Sequence, residues 1–358
     1  MRILFVTTGG PVESAGIVRC LGLGRELASL GHEVEVLISG QAENRRLYGA
    51  IRDGVRFTYS PLDGRGERGA KLARILEAAP HVVHCMGADV PVFWPPLAAR
   101  RVRRRDFILA VDFEDRQALL CPAGRRLLPR LMESVALRLA DRIFCASSWL
   151  ADAYRRRTRR PVTHLPLGYF PHQLPVGPDL ALRVGGPQVG YLGNLIPPYR
   201  DQVEFLLSAW PGVRDACPGA RLHVVGDGPD RGGLEASAVP GAVVFHGRLP
   251  EDRMFAVLGA MDALVLPFPA TPLNLSRCPH KLLLYARTGL PLVCNAVGEV
   301  PALLAGDPAV YYFGEGDAAG FADAVRTAAQ EARRVDPASR LPGRSWRDRA
   351  GEYLAALS

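Results

Sequence analysis

Lys281 is one of only two lysines in the chain, the other being Lys71. It lies in SRCPHKLLLYARTGLPLV (Ser276 to Val293), which reads as a loop, a helix opening at Pro279 and, past Gly289 and Pro291, a short apolar strand. Proline suits the first helical position, where its missing N–H costs nothing, and the N–H groups beside it have no partner within the helix. Arg277 and Lys281, with His280 between them, add full charges to that partial positive pole. A diphosphate is the ligand such a set stabilises best. The plainer alternative is a lysine whose ammonium simply reaches water, although its rarity argues against chance.

Two further loops can approach a ligand closely. TTGGPVESAG (Thr7 to Gly16) joins a strand to a helix, and Gly10 and Gly16 let the backbone come near an anion there. It is not a GxGxxG, and Ser39, Gly40 and Gln41 stand where a dinucleotide site needs an acid after its second strand. VGDGPDRGGL (Val225 to Leu234) ends another strand with Gly226, Asp227, Gly228 and Pro229. That turn either bounds a nucleotide base or is chosen only for its backbone angles.

The elements that must position these loops alternate. ILFVT, VEVLI, HVVHC, FILAV and RIFCA read as strands in the first half, with amphipathic stretches such as Gly16 to Leu30 between them. QVGYL, ARLHVVG, AVVFHG, ALVLPF, LPLVCN and AVYYF continue the pattern after a Pro- and Gly-rich break at Pro171 to Gln188. Continuous apolar strands separated by helices imply parallel sheets covered on both faces. The expected fold is α/β, with two doubly wound Rossmann-like domains facing a cleft. The boundaries expected are 1–170, a linker at 171–187, a second domain at 188–340, and a last helix at 341–358 returning to the first domain. In such sheets ligands sit at the carboxyl ends of the strands.

At 358 residues the chain suits two domains, each able to bury a core. The net charge of +8 is nearly all arginine, concentrated in RRVRRR (Arg100 to Arg105) and YRRRTRR (Tyr154 to Arg160). Those runs are either solvated helix faces or a surface attracted to anionic headgroups. Without interleaved aromatics they do not suit nucleic acid. Seven scattered cysteines with no CxxC pair argue against disulfides and structural zinc, and for a reducing cytoplasm. The N-terminus runs straight into a strand, unlike a signal peptide.

In order and spacing, RELASLGHEVEVL, HVVHCMG, ADRIFCASSWLADAY, VGYLGNLIP, ARLHVVGDGP and HKLLLYARTGLPLV resemble the GT-B glycosyltransferases, and among them the large retaining group called family 4. SWRDRAGEYLAAL (Ser345 to Leu357) is similar to that family's closing helix. The resemblance implies an N-terminal acceptor domain, a C-terminal domain binding a nucleotide sugar, no cofactor and no metal. Several donor-site residues depart from the family's pattern. Its arginine after Gly193 falls on Asn194, and its next lysine on Tyr199, with Arg200 adjacent. Its two glutamates fall on Ser276 and Leu284, and leucine cannot bond ribose hydroxyls. Glu299 stands where a glycine is usual and offers a substitute acceptor, while Arg277, Arg200 and Lys281 offer substitute charge.

On the N-terminal side, VDFEDR places Asp112, Glu114 and Asp115 where the family keeps a polar residue near the reacting sugar. One of them can orient the acceptor hydroxyl or act as base; an equal alternative is helix capping. His84 is cleft-facing in the family's pattern, or a satisfied histidine under a sheet. The expectation is a cytoplasmic, metal-independent, retaining glycosyltransferase using a nucleotide-diphosphate sugar. Its acceptor is a lipid-linked glycan, reached with peripheral contact to an anionic membrane, or a small natural product. The competing expectation is a non-catalytic GT-B protein with a degenerate donor site.

Overall fold

Strands form where both faces of the chain are apolar, and β5 (Val82–Met86) is buried at every position. The computed structural model describes residues 1–9, 15–62, 65–103, 107–170 and 177–358. Gly10 and residues 171–176 of the expected linker lie outside them. The chain divides into two units: Met1–Phe170 with Leu275–Cys278 and Arg344–Ser358, and Pro171–Asn274 with Pro279–Gly343. Leu275–Cys278 thus groups with the first unit, although the sequence reading set it within the second domain.

The first unit holds β1 (Arg2–Val6), β2 (Glu33–Ser39), β3 (Ile51–Arg52), β4 (Val55–Ser60), β5, β6 (Ile108–Phe113), β7 (Arg142–Cys145) and β8 (Val162–His164). They form one sheet in the order β3-β4-β2-β1-β5-β6-β7-β8, parallel except where β3 meets β4. Strand order reverses at β1, so the carboxyl ends of β1, β5 and β6 open at a topological switch point. β3, β4 and β8 were not read from the sequence. The first two are joined by Asp53 and Gly54, at φ 52 and 79, the left-handed pair of a tight hairpin.

The helix Ala15–Ser29 buries Ile17, Cys20, Leu23 and Leu27, the stripe of one helical face. The last helix, Trp346–Leu357, packs on it through Trp346, Ala350, Tyr353 and Leu357. Its start is fixed by a reciprocal cap between Ser345 and Asp348. Gly22 is required beneath Trp346, since a β-carbon there would lie 2.2 Å from the indole.

Much of the arginine in the two basic runs is spent internally. Arg100 donates to the Phe107 carbonyl and pairs with Asp141, and Arg157 pairs with Glu133. Arg155 pairs with Asp152 at 2.7 Å, while Arg101, Arg156 and Arg159 stay exposed. Lys71, fully buried, pairs with Glu67 at 2.7 Å and donates to the Thr7 carbonyl at 3.0 Å. None of the seven cysteines is in a disulfide. Among the described residues no helix is long and apolar enough to cross a membrane.

The second unit holds β9 (Gln188–Leu192), β10 (Arg221–Val225), β11 (Val243–Gly247), β12 (Ala263–Leu266), β13 (Leu292–Cys294) and β14 (Val310–Tyr312). The order β11-β10-β9-β12-β13-β14 is parallel throughout, with its switch point between β9 and β12. One core cluster joins Val189, Tyr191, Leu222 and Val265, which share one face of the sheet by register, with Trp210 and Phe321.

Candidate active site

In the second unit, the helix His280–Ala286 brings Lys281 to the carboxyl end of β9. Its Nζ donates to the Tyr191 hydroxyl and to Gln202 Oε1, each at 3.0 Å. It also stands 4.6 Å from the centre of the Tyr191 ring and 5.4 Å from that of Tyr199. A β-carbon on Gly193 would fall 2.8 Å from Nζ and 2.7 Å from the Tyr191 hydroxyl, so glycine leaves the ammonium its place. Gln202 and Tyr191, which set the lysine's position, were not singled out from the sequence.

Other expected donor residues are placed differently. Pro279 caps the helix rather than opening it: its ψ of 100 is extended, and His280 is the first helical residue. Proline fixes φ but leaves ψ to the surrounding chain. Desolvation, and then the Arg287 guanidinium, push the His280 pKa down to about 4, so its ring is neutral at pH 7. Arg277 and Lys281 fall in different units. Arg277 groups with the first unit, is 7% exposed, and pairs with Asp115 at 3.4 Å. Beside it Ser276 Oγ accepts from the Arg116 N–H. Glu299 is only 1% exposed at the start of the four-residue helix Val300–Leu303, which withdraws its carboxylate from solvent. Arg200, exposed, pairs with Glu204 at 2.6 Å and Asp230 at 3.6 Å, and Asn194 is exposed on the loop after β9. Leu284 is half-buried and offers no polar atom.

The Gly226–Pro229 turn has a backbone reason for its glycines. Gly226, at φ 139, would set a β-carbon 1.9 Å from the Gly193 carbonyl oxygen, and Gly228 one 2.2 Å from that of Leu195. The two loops run in contact, with Leu195 N–H donating to the Asp227 carbonyl. Gly226 N–H is spent on Gly247 and Gly228 N–H on the Asp227 side chain. Neither is left to read a base edge.

In the first unit the expected acids separate into two kinds. Asp112, at the end of β6, is 1% exposed and accepts from Arg19 Nε at 2.5 Å. His84 on β5 meets Asp112 through Nε2 and the Tyr353 hydroxyl through Nδ1, both at 3.2 Å. Arg19 also donates to the Leu165 carbonyl. Burial pushes the Asp112 carboxyl up, but Arg19 and His84 together hold it below the usual carboxylate range. Asp112 and His84 therefore tie β5 and β6 to the first and last helices.

Glu114 and Asp115 are instead half-buried. The Glu114 carboxylate lies against the start of the first helix, 3.5 Å from where a β-carbon on Gly16 would stand. Desolvation, then the charge of Asp112, raise its pKa well above the ordinary glutamate value. Asp115 is likewise raised by desolvation and by repulsion from Asp89, less what Arg277 restores. Asp89, in the loop after β5, accepts from the Gln117 amide at 3.2 Å, and burial raises its pKa. Asp89 was missed in the sequence; its signal was its place two residues after Gly87, at the mouth of a switch-point strand.

The description "Glycosyl transferase 4-like domain" matches residues 15–168, and "Glycosyl transferases group 1" matches 186–331. The chain is 31% identical to the 2-deoxystreptamine N-acetyl-D-glucosaminyltransferase of Streptomyces fradiae over 89% of its length and 88% of that protein's. It is 33% identical to the 2-deoxystreptamine glucosyltransferase of Streptomyces kanamyceticus over 34% of its length and 33% of that protein's. Among solved structures, a sucrose-phosphate synthase from Thermosynechococcus elongatus matches all of the chain and 96% of its own, with TM-score 0.75 at 17% identity. HepE of Anabaena in complex with UDP-glucose matches all of both chains, with TM-score 0.70 at 16% identity. With two doubly wound sheets and kinship along most of its length, the chain belongs to the GT-B glycosyltransferases of the family 4-like type.

Proposed function

We propose that this glycosyltransferase moves a hexose from a nucleotide-diphosphate sugar to a hydroxyl of an aminocyclitol, with retention and without a metal ion. The observation that carries the donor half is the Lys281 ammonium at the carboxyl end of β9, with Gly193 keeping the space beside it clear. A doubly wound sheet binds its ligand at that edge, and a fixed positive charge there stabilises the departing diphosphate. The acceptor class and a donor sugar of the glucose or N-acetylglucosamine type rest on the two Streptomyces relatives, both named for transfer to 2-deoxystreptamine.

In the reaction the bond from the sugar's anomeric carbon to the diphosphate oxygen breaks, and a new one forms to the acceptor oxygen on the same face. The acceptor's proton passes to the departing diphosphate. Lys281 takes up the charge that a metal ion would otherwise neutralise. Leu284 leaves ribose without its family partner, so base and phosphate contacts carry more of the donor's affinity.

The test is thermal unfolding with UDP, GDP, TDP, ADP and CMP, each with and without EDTA. One nucleotide diphosphate at a hundred times its Kd should raise Tm by roughly 5 to 10 °C. Chelator should not diminish that shift, and Lys281→Ala should remove most of it. Mass spectrometry then reads hexose transfer to 2-deoxystreptamine from the matching sugar nucleotide. No shift with any nucleotide would remove the donor assignment.

A further inference from the structure

The carboxyl ends of β5 and β6 carry more negative charge than their surroundings neutralise. Four carboxylates meet there, Asp89, Asp112, Glu114 and Asp115, and among the described residues two guanidiniums answer them. Arg19 is committed to Asp112 and Arg277 to Asp115. Among the described residues Asp89 has only the Gln117 amide and no cation. Glu114 has less: its Oε1 is shut off from solvent with no hydrogen-bond partner, and Asp112 Oδ1 close by is in the same condition.

A shielded carboxylate oxygen without a partner destabilises the fold, and more so if the group is charged. The chain as a whole bears a charge of +8, so basic side chains are plentiful, yet among the described residues no cation pairs with Asp89 or Glu114, and Glu114 feels only the charge of Arg19, which is bonded to Asp112. Among the described residues neither is in an ion pair, as Asp112 and Asp141 are with Arg19 and Arg100. The arrangement suits a cation that comes from outside and leaves again.

We propose that Glu114 and Asp89 are the acceptor's specificity residues, receiving the protonated amino groups of an aminocyclitol, with Asp115 adding to the field that draws it in. This rests on the acceptor class proposed above and deepens it. 2-Deoxystreptamine carries two amino groups, both cationic at neutral pH, and each would form a charge-assisted hydrogen bond with a carboxylate. A neutral cyclitol would leave both acids as they are. The preference for a charged acceptor then comes from the unmet carboxylates rather than from added contacts to its hydroxyls.

Calorimetric binding of 2-deoxystreptamine and of its di-N-acetyl derivative to the whole protein tests this, with Glu114→Gln, Asp89→Asn and the double variant beside the wild type. Unfolding curves establish that each variant folds. The inference expects the diamine to bind the wild type and the diacetyl compound to bind at least 10-fold more weakly. Each single substitution should weaken the diamine about 10- to 100-fold, the range of one charge-assisted bond. Variants should bind the diacetyl compound as the wild type does. If the diamine binds wild type and double variant alike, the residue assignment is overturned and the acceptor class stands. If it does not bind the wild type, the acceptor class falls and the inference with it.

Discussion

The ammonium of Lys281 and the α-carbon of Gly193 are so close that a β-carbon at 193 would come within 2.8 Å of Nζ. The lysine and the glycine act as one feature, although 88 positions separate them in the chain (281 − 193). A methyl group at 193 must push the ammonium off the Tyr191 hydroxyl, because Tyr191 is fully buried and cannot yield. Gly193→Ala should therefore raise the donor's KM or Kd by about 10-fold, the value of one charge-assisted contact. Overpacking should cost only about 1–3 kcal/mol of stability. Nucleotide titration and thermal unfolding of the same variant separate the two effects.

Gly226→Ala makes a contrast within the same unit. Its β-carbon would meet the Gly193 carbonyl at 1.9 Å, a backbone atom that cannot swing away, at a φ of 139 that L-residues avoid. The loss should exceed about 2 kcal/mol. Gly232, in the helix Arg231–Ala236, has nothing within 4 Å of its β-position. Gly232→Ala should be neutral or stabilise by up to about 1 kcal/mol. Denaturant unfolding with unchanged m-values would place both effects in the native state.

The sheets were legible because period and apolarity report burial directly, as the runs at Val82–Met86 and Gln188–Leu192 show. β3 and β4 were missed although Asp53–Gly54 is a hairpin signal, since β3 is only two residues long and exposed. The site was less legible because its chemistry depends on pairing at long range. Nothing local distinguishes Asp112, held by Arg19, from Glu114, whose Oε1 has no hydrogen-bond partner. Equally, Arg277 and Lys281 look alike in the sequence, and only the fold sends one to Asp115 and the other to Tyr191.

Glu114 should make the protein less stable as pH rises. Its folded-state pKa lies well above the ordinary glutamate value of 4.5, chiefly through desolvation. Below that value both states hold the proton and the group costs nothing. Above it the unfolded chain ionises while the folded one resists, at about 1.4 kcal/mol per pH unit until the folded pKa is reached. Glu114→Gln should thus melt higher than wild type at pH 7 and level with it near pH 4. Parallel melting curves at the two values check this. A gain in stability together with weaker diamine binding would be the trade expected where a binding site is held unsatisfied.

Asp112 should behave in the opposite sense two residues away. Arg19 and His84 hold its folded pKa below 3.8, against the upward pull of burial. Its contribution is therefore complete above pH 3.8 and lost as pH falls through the folded value. Asp112→Asn keeps the shape but leaves Arg19, fully buried, without a counter-ion. Breaking such a pair from one side costs about 3–5 kcal/mol. The variant's deficit at pH 7 should shrink as acid removes the same interaction from the wild type. Tyr353→Phe removes only the hydroxyl that meets His84 and should cost about 1 kcal/mol. Urea unfolding of both variants from pH 7 down to pH 3 reads the two slopes. A deficit for Asp112→Asn that does not narrow over that range would mean the carboxylate's charge is not what holds the first and last helices to β6.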